Sequence, residues 1–280
     1  MILIVPSDPM RPRRADEHFA AEAQAARAAG AEVAVVDHDA LAGGGDADRA
    51  VARVPEGPDV VYRGWMLPAT GYAAMAEALR RRGATLRTGP ADYRRAHELP
   101  GWYASLRPVT PESVWTGGDR REAFDQAREL LKDGPAVLRD YTKSAKHHWH
   151  EAAYVPELAD ADAAWRVASR LRELRGDDFT GGFVLRRFEP LTAPEVRTWW
   201  IAGEARLTGP HPDTPDAQAG PPDLSAVTPL VAALGLPFVT VDLARREDGE
   251  WRVVELGDGQ VSDRPSVIPA ETLIAALLAG

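Results

Sequence analysis

The chain has 280 residues, of which 45% are hydrophobic and 27% are charged, as expected for a soluble globular protein of one large or two medium domains. A net charge of −9 argues against general nucleic-acid binding, and the absence of cysteine excludes disulfides, thiolate metal sites and a cysteine nucleophile. The apolar run at 2–6 is too short for a signal peptide or a membrane span, and no other run approaches membrane length. We therefore expect a cytoplasmic protein without a membrane partner.

The first 95 residues alternate between predicted strands and predicted helices. The strands are predicted at 2–5, 33–36, 59–62 and 84–87, and the helices at 16–29 and 72–82. Such alternation is typical of a parallel sheet whose strands are connected by crossover helices.

A second unit is predicted to begin near residue 96. Its helices are predicted at 122–132 and 160–174, and its strands at 136–141, 182–188, 195–201, 238–246 and 251–256. Residues 208–224 are rich in proline, glycine and aspartate, which predicts a mobile loop.

Lysine is rare in this chain, which contains three lysines and thirty arginines. Lys143 and Lys146 both follow the predicted strand at 136–141. A lysine ammonium is a compact charge on a flexible stem, and it suits a phosphate that must be held and moved. The alternative is that both are chance surface lysines.

Two carboxylates lie in the apolar strands of a predicted hairpin. An Asp-Gly pair at 248–249 favours a two-residue type I′ turn, and this register places Asp242 opposite Glu255. Opposed Cβ atoms lie about 4.5–5.5 Å apart, and two such charges repel by about 4 kcal/mol at an effective dielectric near 20. Magnesium, which prefers carboxylate oxygens and substrate phosphates, would offset this repulsion. Alternatively, both side chains face solvent beside arginines, and a one-residue slip in register would separate them.

The order of these motifs resembles the ATP-grasp superfamily, in particular a clade in which arginine replaces the usual strand lysine and further lysines follow. The stretches that carry the resemblance are Val137–His147, Glu195–Gly203, Val241–Leu243 and Glu255–Gln260. The resemblance covers residues 96–280, and residues 1–95 look like the Rossmann-like domain that often precedes it. The implied fold is α/β, with a Rossmann-like N-terminal domain (1–95) followed by a two-lobed ATP-grasp domain (96–280).

The resemblance implies ATP and Mg²⁺ as cofactors. The residues implied to contact the nucleotide are Arg139, Lys143 and Lys146 for the phosphates, the backbone of Arg187 and Phe188 for the adenine edge, and Glu189 for the ribose.

The resemblance also implies a catalytic and a metal-binding set. Arg197 would stabilise the transferred phosphate or a substrate carboxylate, with Lys146 as a second catalytic cation. Asp242 and Glu255 would hold magnesium, and Asp258 is a further candidate ligand. The physical logic agrees, because phosphoryl transfer depends on metal and cationic groups placed where charge develops.

Two departures from the family pattern stand out. The asparagine expected two residues after the metal-binding glutamate is replaced by Gly257. The usual glycine-rich flap over the phosphates is replaced by residues 142–146. An inactive relative therefore remains an alternative.

The activity implied is an ATP-dependent ligase that joins a carboxylate to an amine through an acylphosphate. The partners would be small-molecule or peptide carboxylates and amines, nucleic acid is disfavoured, and a homodimer is possible. A kinase-like phosphotransferase on the same scaffold and a non-catalytic nucleotide-binding protein remain the alternatives.

The histidines after the second lysine and one arginine of the first domain each have more than one interpretation. His147, His148 and His150 cluster after the second lysine, and their pattern favours local packing or substrate contact over a dedicated metal site. Arg63 follows a predicted strand of the first domain, where ligands of open α/β sheets bind, so it is either a contact for an acidic substrate or a surface arginine.

Overall fold

The computed structural model describes residues 1–217 and 220–280, except for the side chain of Ala193. The strands are β1 (Ile2–Asp8), β2 (Arg11–Ala15), β3 (Glu32–Val36), β4 (Gly57–Tyr62), β5 (Ala84–Leu86), β6 (Ser113–Trp115), β7 (Ala136–Arg139), β8 (Tyr154–Val155), β9 (Val184–Arg187), β10 (Leu191–Ile201), β11 (Glu204–Pro210), β12 (Phe238–Arg246) and β13 (Trp251–Asp258). The α-helices are α1 (Ala20–Ala28), α2 (His38–Ala42), α3 (Ala47–Ala50), α4 (Ala69–Arg81), α5 (Pro90–His97), α6 (Leu99–Leu106), α7 (Arg121–Leu131), α8 (Ala161–Arg175), α9 (Thr228–Leu234) and α10 (Ala270–Ala279).

The chain divides into two compact units. Unit 1 comprises Met1–Ala96, Pro194–Leu243 and Glu255–Gly280, and unit 2 comprises His97–Ala193 and Ala244–Val254. The first boundary lies next to the predicted one, whereas the return of later segments to unit 1 has no counterpart in the sequence pattern. The division into domains 1–95 and 96–280 stays a prediction.

The parallel sheet predicted for the N-terminal residues is present in unit 1. Strand β1 pairs in parallel with β3 and with β4, and β4 pairs in parallel with β5. Ile2 and Ile4 of β1 belong to one buried cluster, which includes residues of α4. Leu3 and Val5 belong to the cluster on the opposite face, which includes residues of α1 and α10. The strand is apolar throughout because a parallel sheet is covered on both faces.

Two four-stranded sheets complete the architecture. Strands β6, β9, β7 and β8 form an antiparallel sheet of unit 2, whose buried face packs against residues of α7 and α8. The other sheet has the order β11-β10-β12-β13. The mixed α/β class, with an N-terminal parallel sheet followed by antiparallel sheets, confirms the predicted fold. Among the described residues, no helix is both long enough and apolar enough to cross a membrane.

The segment predicted as a mobile loop at 208–224 is partly regular. Strand β11 extends to Pro210, so the first residues of this segment pair with β10. Residues 218 and 219, which the prediction also covered, lie outside the described residues.

Arg63 is neither a surface residue nor available to a substrate. Its side chain is 1% exposed and donates to both carboxylate oxygens of Glu22, at 2.7 and 3.0 Å. It also donates to the carbonyl oxygens of Gly259, Gln260 and Ser262. Arg63 therefore connects the end of β4 to α1 and to the segment that follows β13, and both of its sequence-based interpretations are wrong.

We predict that Arg63→Met lowers the free energy of unfolding by about 3–5 kcal/mol, because it removes both close hydrogen bonds to the buried Glu22 carboxylate and leaves only the 3.4 Å contact with Arg264. Urea denaturation followed by circular dichroism measures this loss. The double variant Glu22→Leu/Arg63→Met should lose less, because it removes both charges of the pair.

Arg80→Met is the matched control, because Arg80 makes the same two-pronged contact with Glu77 on an exposed helix surface. It should change stability little. An Arg63→Met protein as stable as the wild type would contradict the structural role of this arginine.

Candidate functional site

The loop after β7 is organised by a buried carboxylate that the sequence analysis did not single out. Asp140 is 0% exposed, and its Oδ1 accepts hydrogen bonds from the backbone N–H groups of Thr142 and Lys143, both at 2.7 Å. Its Oδ2 accepts from Arg175 Nε at 2.8 Å and from the Thr180 N–H. An aspartate whose carboxylate accepts hydrogen bonds from the N–H groups two and three residues later commonly stabilises a turn. An aspartate directly before the loop was therefore the available sequence signal for this role.

The three cations predicted to contact phosphate lie at different depths in unit 2. Arg139 is 5% exposed, and its guanidinium donates to the carbonyl oxygens of Thr142 at 2.6 Å and Asp140 at 3.3 Å. Lys143 and Lys146 are exposed. Arg139 thus stabilises the loop through hydrogen bonds to its carbonyl groups, while the side chains of the two lysines are exposed to solvent.

The segment predicted to receive adenine and ribose makes several contacts within unit 2. The backbone N–H of Arg187 donates to Glu112 O at 2.8 Å, and that of Phe188 donates to Pro135 O at 3.0 Å. Both carboxylate oxygens of Glu189 accept from Arg252, at 2.8 and 2.9 Å. Because these two N–H groups already have acceptors, adenine would have to contact other backbone groups of this segment. A ribose hydroxyl would bind a Glu189 carboxylate that also accepts hydrogen bonds from Arg252.

An aromatic group that the sequence analysis missed adjoins Phe188. Trp149 stacks on Tyr154 with ring centroids 5.4 Å apart and planes 15° apart, and Tyr154 meets Phe188 edge to face at 5.3 Å. All three side chains are half-buried. They offer a flat apolar surface beside the residues predicted to receive adenine.

The histidines after Lys146 are exposed but make some of the expected local contacts. His147, His148 and His150 are all exposed, while His150 meets Tyr154 edge to face at 6.5 Å and His148 Nδ1 lies 3.8 Å from Glu151 Oε2. Within 1–217 and 220–280, they belong to no cluster of three potential metal ligands. Their contact with a substrate stays a prediction.

In unit 1, Arg197 and Asp242 form a largely buried ion pair across β10 and β12. Arg197 donates through Nε and Nη2 to the two oxygens of Asp242, each at 2.8 Å, and the two side chains are 12% and 4% exposed. Burial alone would raise the pKa of Asp242, but the charge and hydrogen bonds of Arg197, together with His211, lower it to about 2. The carboxylate is therefore ionised at neutral pH.

Two neighbours of this pair, Glu195 and His211, were not predicted. His211 Nε2 lies 3.0 Å from Arg197 Nη2 and 3.5 Å from Asp242 Oδ2. One ligand atom each of Glu195, His211 and Asp242 lies within 4.8 Å of the others. Glu195 stands two residues before Arg197 on β10, and His211 pairs with it through the 3.1 Å bond from His211 N to Glu195 O. The signal for His211 lay only in tertiary structure, because it follows β11 and meets β10 through sheet pairing.

The hairpin that carries the predicted carboxylate pair has a different tip from the one expected. The N–H of Arg246 donates to Glu250 O, and the N–H of Gly249 donates to Arg246 O, so the turn is a three-residue loop with Gly249 at φ +92°. Nearer the other end, Gly259 N donates to Phe238 O, which is the predicted register. The register thus changes by one residue within the hairpin.

Glu255 nevertheless belongs to the surroundings of Arg197. Burial would lower the pKa of Arg197, but the charges of Asp242, Glu255 and Asp263 raise it above its ordinary value. The charges of both carboxylates therefore act on one guanidinium. Its positive charge offsets their mutual repulsion, a role that the sequence predicted for magnesium.

Gly257 has a steric explanation. A Cβ at this position would lie 3.3 Å from Thr240 Oγ1 and 3.5 Å from Ser262 Oγ, and these two hydroxyls are hydrogen-bonded at 2.7 Å. A larger residue at this position would therefore require the Thr240 hydroxyl to move by a few tenths of an ångström.

Asp258, predicted as a further magnesium ligand, is enclosed at the end of β13. It is 1% exposed, and its Oδ1 accepts from Gln260 N at 2.8 Å and Gln260 Nε2 at 3.1 Å. Burial raises its pKa to about 7, although the hydrogen bonds from Gln260 oppose the rise. Its role as a metal ligand stays a prediction.

Comparison with protein families gives one matching family model. The model, described as an ATP-grasp domain of the R-2K clade, family 3, matches residues 127–277. This range covers more than half of the chain and includes every predicted site residue. No curated protein matches the sequence.

Several solved structures share the fold along the whole chain. A RimK domain ATP-grasp protein from Sphaerobacter thermophilus DSM 20745 has a TM-score of 0.63 at 19% identity, with 100% of both chains covered. D-cycloserine synthetase DcsG has a TM-score of 0.61 at 19% identity, with 99% of this chain and 100% of that chain covered. The ATP-grasp ligase PsnB, solved with a minimal precursor, Mg and ADP, has a TM-score of 0.60 at 17% identity, with 99% and 97% covered. At these identities the likeness shows the fold alone.

The raised pKa of Asp258 predicts a pH-dependent gain in stability for Asp258→Asn. In the wild type, the unfolded chain releases this proton above about pH 4, whereas the folded protein keeps it until about pH 7. The wild type therefore loses up to about 4 kcal/mol of stability across this window, and the variant lacks this loss.

Urea unfolding of both proteins at pH 4 and pH 8 measures the difference. The exposed Asp177→Asn is the control, and its difference from the wild type should be the same at both pH values. An Asp258→Asn difference that does not change with pH would contradict the protonated state of Asp258.

Proposed function

Because the chain belongs to family 3 of this clade of ATP-grasp domains, we propose that it is an ATP-dependent ligase that joins a carboxylate to an amine. The observation that carries the proposal is the Arg197–Asp242 pair with His211 beside it, a largely buried and preorganised cation on β10. Preorganised cations of this kind stabilise charge that develops during phosphoryl transfer.

The nucleotide is bound, in this proposal, by the loop after β7. Lys143 and Lys146 contact its phosphates, because they are exposed on a loop whose backbone is held by Asp140. Arg139 strengthens this site from beneath through its hydrogen bonds to the loop carbonyls. The Trp149–Tyr154–Phe188 group supplies an apolar surface for the adenine ring.

Asp242 and Glu255 would hold Mg²⁺, which would neutralise charge on the phosphates and polarise them for transfer. The fit of these residues rests on their chemistry, since carboxylate oxygens are the ligands that magnesium prefers and Asp242 is ionised at neutral pH. Asp242 would share its oxygens between the metal and Arg197. Asp258 is left out of this set, because its Oδ1 already accepts two hydrogen bonds from Gln260.

The chemistry proceeds in two steps. A substrate carboxylate oxygen attacks the terminal phosphorus of ATP, the bond to the bridging oxygen breaks, and ADP leaves. The amine nitrogen then attacks the acyl carbon of the acylphosphate, the carbon–oxygen bond to phosphate breaks, and phosphate and one amine proton are released. We assign to His211 the role of accepting this proton, because its ring lies beside the proposed transfer cation, with Nε2 3.0 Å from Arg197 Nη2.

The substrates are proposed to be small molecules or peptides. The PsnB complex, with its minimal precursor, Mg and ADP, supports peptide substrates and Mg-ATP for this fold. A phosphotransferase would differ in its product, because it would release no phosphate and leave a stable phosphorylated compound.

We predict that the enzyme forms a hydroxamate and releases phosphate when it is supplied with Mg-ATP, hydroxylamine and a pool of carboxylic acids and peptides. Hydroxylamine replaces the unknown amine by attacking the acylphosphate. Iron(III) colour measures the hydroxamate, and a coupled assay measures phosphate.

Glu255→Gln is the control, with its fold checked by circular dichroism, and both signals should fall at least about a hundredfold because the metal site and the charge near Arg197 change. Phosphorylated product without hydroxamate would replace the ligase with the phosphotransferase. ATP binding without any product would favour the non-catalytic alternative.

We also predict that an acylphosphate derivative of ATP acylates Lys143 or Lys146 but not Lys132. The rarity of lysine makes the experiment simple, because these are the three lysines of the chain. Peptide mass spectrometry identifies the modified residue.

Lys132 serves as the internal control, because it lies in the same unit at the end of α7, outside the loop. An excess of Mg-ATP should suppress the labelling at the loop lysines. Equal labelling of all three lysines, unchanged by Mg-ATP, would contradict the phosphate-binding role.

A further inference from the structure

Trp65 is an exposed aromatic residue immediately after a strand of the parallel sheet. It follows β4 by three residues, at the edge where the carboxyl ends of the strands lie, and its side chain is 40% exposed. Ligands of open α/β sheets bind at this edge. Arg63, two residues earlier, is buried in structural contacts, so Trp65 is the residue of this segment that faces outward.

Three rings fix the orientation of Trp65 and leave part of it open. Phe19 meets it edge to face at 5.0 Å, His38 meets it edge to face at 5.4 Å, and His18 lies at 6.1 Å. His38 is in turn held by a 3.0 Å contact between its Nδ1 and Tyr62 Oη, whose hydroxyl donates to Trp65 O at 2.9 Å. The indole is therefore a rigid surface.

Three aspartates lie beside the two histidines of this surface. Asp37 and Asp39 are exposed on either side of His38. Asp263, which is 59% exposed, contacts His18 Nε2 at 3.0 Å. Burial lowers the pKa of His38, although the charges of Asp39 and Asp37 oppose the shift.

Asp263 also connects this surface to the proposed reaction centre within unit 1. Its backbone carbonyl accepts a hydrogen bond from Arg197 Nη1 at 3.3 Å, while its carboxylate contacts His18. One residue thus touches both the arginine assigned to transfer and the histidine beside Trp65.

We propose that Trp65, with His18, His38 and the surrounding aspartates, forms a binding subsite for an organic cation, a guanidinium or alkylammonium group. A rigid indole face flanked by carboxylates is the arrangement that attracts such a group through cation–π and ion-pair contacts. That the cation is part of the ligase substrate rests on the proposed function. The binding itself requires neither ATP nor turnover.

Titration of protein labelled with ¹⁵N at tryptophan tests the subsite, with acetyl-arginine amide as the probe and acetyl-citrulline amide as its uncharged counterpart of equal shape. The chain has eight tryptophans, and the Trp65→Phe variant identifies the indole signal of Trp65. We expect the arginine derivative to shift this signal saturably, with an affinity at least about fivefold higher than that of the citrulline derivative. Asp39→Asn should weaken the arginine derivative selectively.

Trp115 is the internal control, because it is 38% exposed and also makes an edge-to-face contact, with Tyr103, but lies in unit 2. Its signal should not move. An unmoved Trp65 signal, equal shifts at Trp65 and Trp115, or equal affinity for the two derivatives would each overturn the proposal. These outcomes are independent of hydroxamate formation, so a failure of the subsite is distinguishable from a failure of the ligase assignment.

Discussion

A buried guanidinium requires acceptors for its N–H groups and a carboxylate for its charge, and much of this protein is arranged around that requirement. Three ion pairs satisfy this requirement. Arg63 pairs with Glu22 of α1, and Arg197 pairs with Asp242 across β10 and β12. The third pair joins Arg252 to Glu189. Each is a two-pronged contact between segments that are distant in sequence. Removing one partner of any of these pairs would take the closest compensating charge from a group with little access to solvent.

The same requirement shapes the candidate site. Side chains that the family resemblance assigns to a ligand already have protein partners: Asp242 binds Arg197, Glu189 binds Arg252, and Arg139 binds carbonyl groups of its own loop. Such contacts hold these side chains in a fixed orientation before a ligand arrives, and preorganisation of this kind is the condition for electrostatic catalysis.

Carboxylates in similar strand sequence acquire opposite properties from their surroundings. Asp242 and Asp258 are both buried, yet the adjacent guanidinium lowers the pKa of one to about 2, while desolvation raises that of the other to about 7. Their chemistry is therefore set by whether a cation accompanies the burial. On the surface of unit 1 that carries Trp65, by contrast, the aspartates are exposed to solvent, and so is part of the indole ring.

The sequence by itself determined most local elements: the apolar run of β1, the strand predicted at 136–141, which forms over Ala136–Arg139, and the rare lysines after it. These elements follow from periodicity and composition over a few residues, whereas the family followed from the resemblance in the order of the motifs. Only the tertiary structure decided which groups meet. The three-residue hairpin tip, the role of Asp140, the position of His211 beside Arg197 and the burial of Arg63 depend on strand register and on contacts between residues far apart in the chain. A one-residue change in register moves a side chain to the other face of a sheet, and a residue's type does not report the partners that will surround it.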